Sequence, residues 1–126
     1  MGKPGSHRTI LVVDDHEAHR KLIELVLGAH NYQVVSARDG HEALTYLQST
    51  TPDALILDVT MPHMSGFDVA RKLRRVARLK HVPILFVTSQ TRADTQQQAD
   101  EVGAAAVIHK PISGTDLDRR LRAVLG

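Results

Sequence analysis

Five short apolar runs, separated by polar or amphipathic stretches, constrain the fold of this chain more than any other feature. They are Ile10-Leu11-Val12-Val13, Val34-Val35, Ala54-Leu55-Ile56-Leu57, Ile84-Leu85-Phe86-Val87 and Ala104-Ala105-Ala106-Val107-Ile108. Runs this short, bounded by turn residues, fit strands covered on both faces, as in a parallel sheet. Val34-Val35, the shortest, reads as an edge strand. Pro83 stands at the head of the fourth run, where its missing N–H costs a sheet least. Helical spacing marks the stretches after the runs. Leu22, Leu25, Val26 and Ala29 suggest a helix over about 16 to 29, and Ala43, Leu44 and Leu47 a second. Ser65 can cap a third, with the stripe Phe67, Ala70, Leu73 and Val76. A polar helix is expected near Asp94 to Val102, and Leu117, Leu121 and Val124 carry the last. Strand and helix thus alternate five times, which predicts an α/β fold, a doubly wound five-stranded parallel sheet.

Composition narrows the class. At 126 residues the chain is one domain, long enough to bury a core without staples. It has no cysteine, so disulfides and thiolate metal sites are excluded, which suits a reducing, cytoplasmic setting. No apolar run approaches the roughly 20 residues of a membrane-spanning helix. The net charge of +2 does not by itself call for nucleic acid. Residues 1–7 read as a disordered tail, and the domain is placed at 8–126.

What ends the runs carries the chemistry. Asp14-Asp15, Asp58, Thr88 and Lys110 stand at or just past the ends of four of them. Right-handed crossovers bring the carboxyl ends of parallel strands to one edge of the sheet. There three carboxylates, a hydroxyl and an ammonium would converge. Clustered carboxylates repel one another unless a cation joins them. Oxygen donors without thiolate or a histidine cluster suit magnesium, which accepts one or two carboxylates together with a phosphate. Ammonium and hydroxyl donors can surround a phosphoryl group, and a carboxylate can itself attack phosphorus to give an acyl phosphate.

Together, Leu11-Val12-Val13-Asp14-Asp15, Leu57-Asp58-Val59-Thr60-Met61-Pro62-His63-Met64-Ser65-Gly66, Val87-Thr88-Ser89 and His109-Lys110-Pro111 resemble the receiver domain of two-component response regulators, the chemotaxis receivers included. Intervals of 43, 30 and 22 residues separate Asp15, Asp58, Thr88 and Lys110 and are typical of that family. The resemblance spans roughly residues 8 to 125. It implies a flavodoxin-like (βα)5 fold with strand order 2-1-3-4-5. It also implies that Asp58 accepts a phosphoryl group from a histidine kinase or a histidine phosphotransfer protein. Magnesium would then be bound by Asp15, Asp58 and the backbone carbonyl of Thr60, with Asp14 acting through a water. Lys110 and Thr88 would each contact a phosphoryl oxygen, and the Lys110–Pro111 peptide would be cis. Thr60 and Gln90 would tune loss of the phosphate. Output would pass to a downstream protein target or a fused effector domain. Pairing of two copies through the fourth and fifth helices, and self-catalysed phosphorylation without turnover of a separate substrate, belong to the same expectation.

The sequence also departs from the family. Val107 stands where many receivers carry an aromatic switch residue, and Ile112 where phenylalanine usually follows Lys-Pro. Change on phosphorylation is therefore expected in the Thr88-to-Asp94 loop and the helix holding Gln96-Gln97-Gln98, with little at Val107. The basic run Arg71, Lys72, Arg74, Arg75, Arg78 and Lys80 reads as a solvated face, since no aromatic interleaving or DNA-binding motif accompanies it. His16 and His19 share helical spacing near the acids and read as hydrated surface residues, while His63 and His109 flank the site. Two other functions remain open. A magnesium phosphatase with an aspartate nucleophile usually has a second acid two residues on, where this chain has Thr60. A phosphorylation-independent interaction module would have a broken acidic pocket, and this one is intact.

Overall fold

A computed structural model describes residues 8–89 and 93–125. The expected tail at 1–7, Gln90 and Gly126 lie outside the described residues. Strands β1 (Thr9–Val13), β2 (Gln33–Ala37), β3 (Ala54–Asp58), β4 (Ile84–Thr88) and β5 (Ala106–His109) form one parallel sheet in the order β2-β1-β3-β4-β5. Helices α1 (Glu17–Ala29), α2 (Gly40–Leu47), α3 (Gly66–Arg74), α4 (Ala93–Glu101) and α5 (Gly114–Leu125) alternate with them, with a 3-10 turn at Ala77–Leu79.

The side-chain period of two splits each central strand between two cores. Leu11, Val13, Leu55, Leu57, Ile84 and Phe86 face one side, with Ala43 and Leu47 of α2, Phe67 and Leu73 of α3 and Ala99 of α4. Ile10, Val12, Ile56, Leu85 and Val87 face the other, against Ile23 and Leu27 of α1 and Leu117 and Leu121 of α5. The Phe67 and Phe86 rings meet at 4.8 Å between centroids, tilted by 57°. β2 lies at an edge, as its short apolar run predicted, and its Val34 and Val35 are only partly buried.

Three sequence expectations need correction. In α1 the buried pair is Ile23 and Leu27, whereas Leu22 and Leu25 are 49% and 73% exposed. Five apolar residues crowd 22 to 27, so two stripes at helical spacing overlap, and packing on the sheet selects the other one. Val76 does not continue the α3 stripe. The helix ends at Arg74, and Val76 lies in extended backbone before the 3-10 turn, 42% exposed. Finally, β5 begins at Ala106, because Ala104 N–H closes the end of α4 onto Ala99 O at 3.0 Å.

The basic run is also more than a solvated face. Arg74 donates to the carbonyls of Val102 (2.8 Å), Gly103 (3.2 Å), Val82 (2.8 Å), Lys80 (3.0 Å) and Leu79 (3.4 Å). It thereby ties the end of α3 to the exit of α4 and the entry to β4. Arg78 reaches Leu47 O and Thr51 Oγ1, both at 2.6 Å, and Gln48 O at 3.2 Å, beyond α2. A planar guanidinium carries five N–H donors, so a Lys cannot reproduce the Arg74 set. Arg74→Met should therefore lower stability by about 2 kcal/mol, with Arg74→Lys recovering only part of it, as read by urea denaturation.

Candidate phosphoacceptor and metal site

The ends of four strands deliver the site. Asp14 follows β1 and is fixed there by its N–H on Ala37 O at 3.1 Å. Asp58 is the last residue of β3, and the next residue, Val59, donates to Val87 O at 3.1 Å. Thr88 ends β4, paired in register with His109, and Lys110 N–H donates to Thr88 O at 2.9 Å. The Lys110–Pro111 peptide is cis.

Carboxylate oxygens of Asp14, Asp15 and Asp58 lie within 4.8 Å of one another. Asp14 and Asp58 are buried and Asp15 is exposed, so the cluster opens to solvent on one side. Lys110 Nζ stands 3.7 Å from Asp58 Oδ2 and 3.8 Å from Asp14 Oδ2. Thr60 N–H donates to Asp58 Oδ1 at 3.4 Å. Burial pushes the Asp58 carboxyl up to about 6; Lys110 pulls it down, Asp14 adds to the rise, the Thr60 N–H opposes it, and Asp15 adds again. Thr88 is buried at the same sheet edge. Val107 is half-buried and packs against the core shared by α2, α3 and α4.

Three oxygen donors this close fit a small hard divalent cation, and no thiolate competes for a softer one. A cleft of about 300 Å³ is lined by Val59, Thr60, Met61, Ser65, Phe67, Asp94, Thr95 and Gln98. It separates the β3–α3 loop from α4, whose own buried residues are only Thr95 and Ala99.

Two residues at the site escaped the sequence reading. The His19 side chain is 15% exposed, with Nδ1 2.5 Å from Asp14 Oδ2, so it is not a hydrated surface residue. Arg20 Nη1 donates to Asp14 O at 2.8 Å. The available signal was their place in the first turn of a helix that starts two residues after Asp15, although spacing alone does not say which face turns inward.

The sequence family model described as the response regulator receiver domain matches residues 10–122. The chain belongs to the response regulator receiver family. It is 40% identical over 115 residues to the response regulator PleD of Caulobacter vibrioides, covering 91% of this chain and 25% of that protein. The phosphate regulon transcriptional regulatory protein PhoB of Pseudomonas aeruginosa is 36% identical over 118 residues, covering 94% of this chain and 52% of PhoB. The chain thus spans between a quarter and about half of these two relatives. Among solved structures, chemotaxis protein CheY4 of Vibrio cholerae superposes with a TM-score of 0.90 at 34% identity, covering 94% of this receiver and 99% of CheY4. The sheet order and alternating helices of this receiver are those of the flavodoxin-like, CheY-like fold.

Proposed function

We propose that this receiver is a phosphoacceptor switch in which Asp58 takes a phosphoryl group from a phosphohistidine on a histidine kinase or phosphotransfer protein. The observation that carries this reading is Asp58 itself, a buried carboxylate at a strand end, flanked by two more acids and an ammonium 3.7 Å away. One Asp58 oxygen attacks phosphorus, the phosphorus–nitrogen bond breaks, and its electron pair returns to the donor imidazole. Lys110 stands where it can neutralise charge on the incoming phosphoryl oxygens, and Thr88 can donate its hydroxyl to another. Asp14, Asp15 and Asp58, with the Thr60 carbonyl, would hold magnesium, which supplies positive charge to the phosphoryl oxygens when bound. The protein carries out this transfer on itself and turns over no separate substrate.

New contacts made by Thr88 and Lys110 to the phosphoryl group would bias an existing equilibrium between two arrangements. The cleft beside Thr60, and the small side chains that seat α4, leave that helix room to respond. Val107 is stiff at its first torsion and cannot reproduce the swing of an aromatic ring. Leu22 and Leu25 add an exposed apolar pair on α1, the helix that follows Asp15, suited to contact a protein partner.

The test is incubation with acetyl phosphate and magnesium. One phosphoryl group should be taken up and released by hydroxylamine, and Asp58→Asn should abolish this. Lys110→Ala should still bind magnesium but accept or respond to the phosphoryl group poorly, because an ammonium is no metal ligand. Normal labelling of Asp58→Asn would overturn the reading.

A further inference from the structure

We propose that His19 is a positioning residue for the divalent-cation site, holding Asp14 in the orientation that binding requires. The inference rests on reading the three acids as a magnesium site. Its grounds are the contacts of one carboxylate with one helical turn. Asp14 Oδ1 accepts the His16 N–H at 2.8 Å, Asp14 Oδ2 lies 2.5 Å from His19 Nδ1, and the Asp14 carbonyl accepts from Arg20. Residues 16, 19 and 20 thus grip both ends of Asp14 from the start of α1. The start of the helix is fixed at the same turn, since the His19 main-chain N–H donates to His16 Nδ1 at 3.4 Å, which makes His16 the N-cap.

A carboxylate only accepts, so the hydrogen in the contact sits on His19 Nδ1. Nε2 is buried and has no hydrogen-bond partner among the described residues. Asp14 is therefore the polar contact that orients the ring. The clamp does not exhaust the acid. A carboxylate has about four acceptor positions, and the His16 and His19 donors occupy one on each oxygen. Both oxygens keep capacity toward a cation or its water, while the freedom of the side chain to rotate away is removed. Hydrogen-bonded partners behind metal-binding groups generally act in this way, and their loss weakens metal binding by about 10- to 100-fold.

The experiment is calorimetric titration of the whole chain with magnesium chloride, comparing wild type with His19→Leu, which keeps bulk without a donor, and His19→Asn, whose amide nitrogen can take the place of Nδ1. His19→Leu should raise the magnesium Kd about tenfold, and His19→Asn should restore it to within about threefold of wild type. Melting in EDTA, run beside it, reports any loss of packing separately from loss of affinity. Unchanged or tighter binding in His19→Leu overturns the proposal. So does equal weakening in both variants, since the hydrogen bond would then not be the cause. Should wild type itself bind no magnesium, the reading of the acid cluster fails as well, a result distinct from a clamp that does not matter.

Discussion

Alanine at Gly66 should destabilise the domain by about 4 kcal/mol, a large fraction of the net stability of a domain this size. A Cβ built on Gly66 would lie 2.2 Å from Asp58 O, 3.0 Å from Asp58 C and 3.2 Å from Val59 Cα. All three are backbone atoms, so no rotamer change relieves the overlap. The contact exists because α3 starts hard against the end of β3, with Gly66 N–H on Val59 O at 2.9 Å. Its entry is fixed further by the capping box of Ser65 and Asp68. To admit a methyl group, α3 or the strand end must withdraw, and Asp58 moves with the strand. The internal contrast is Gly28→Ala in α1, where a Cβ meets nothing within 4 Å and removal of backbone freedom should add about 0.5–1 kcal/mol. Urea denaturation of both variants decides the matter. A Gly66→Ala protein as stable as wild type would mean that α3 does not press on Asp58 in solution.

Asp58→Asn should stabilise the metal-free protein near neutral pH by about 3 kcal/mol, which for a domain of this size is a rise in Tm of about 10 °C. The cause is the rise of the Asp58 carboxyl from 3.8 to about 6, which comes chiefly from burial. Between those values the native state holds a proton that the unfolded chain has lost, so stability contributed by this group falls as pH rises through the window. Above about 6 the full deficit is present, and below about 4 it is gone. The advantage of Asp58→Asn should accordingly be largest at pH 7 to 8 and fade toward pH 4. Magnesium should raise the Tm of wild type and leave the variant nearly unmoved, closing the gap from the other side. Melting curves in EDTA across that pH range, then with magnesium, provide the check. A gap independent of pH, or of the opposite sign, would refute it. The buried Asp58 carboxylate is thus kept at the expense of stability until a cation joins it.

Much of this was legible in the sequence because the responsible residues announce themselves by type. Strands buried on both faces appear as unbroken apolar runs, and an acid at the end of such a run, as at Asp58, stands out against it. The less legible features share a different trait. Arg74 and Arg78 bind carbonyls, and a carbonyl leaves no mark in the sequence, so both resemble the exposed Arg71 and Arg75 beside them. His19 differs from an ordinary surface histidine only by the direction in which α1 turns. That direction was itself ambiguous, because Leu22, Ile23, Leu25, Val26 and Leu27 offer two apolar faces and only docking on the sheet chooses Ile23 and Leu27.

The four strand ends that build the site come from β1, β3, β4 and β5, and Lys110 arrives from the last strand to reach Asp14 beside the first. As the chain leaves the ribosome, the acids emerge early, yet the ammonium cannot reach them until nearly the whole sheet has formed. A nascent or truncated chain can therefore display three carboxylates but not the assembled pocket. Under the function proposed above, competence to be phosphorylated would therefore require that the last strand has joined the sheet.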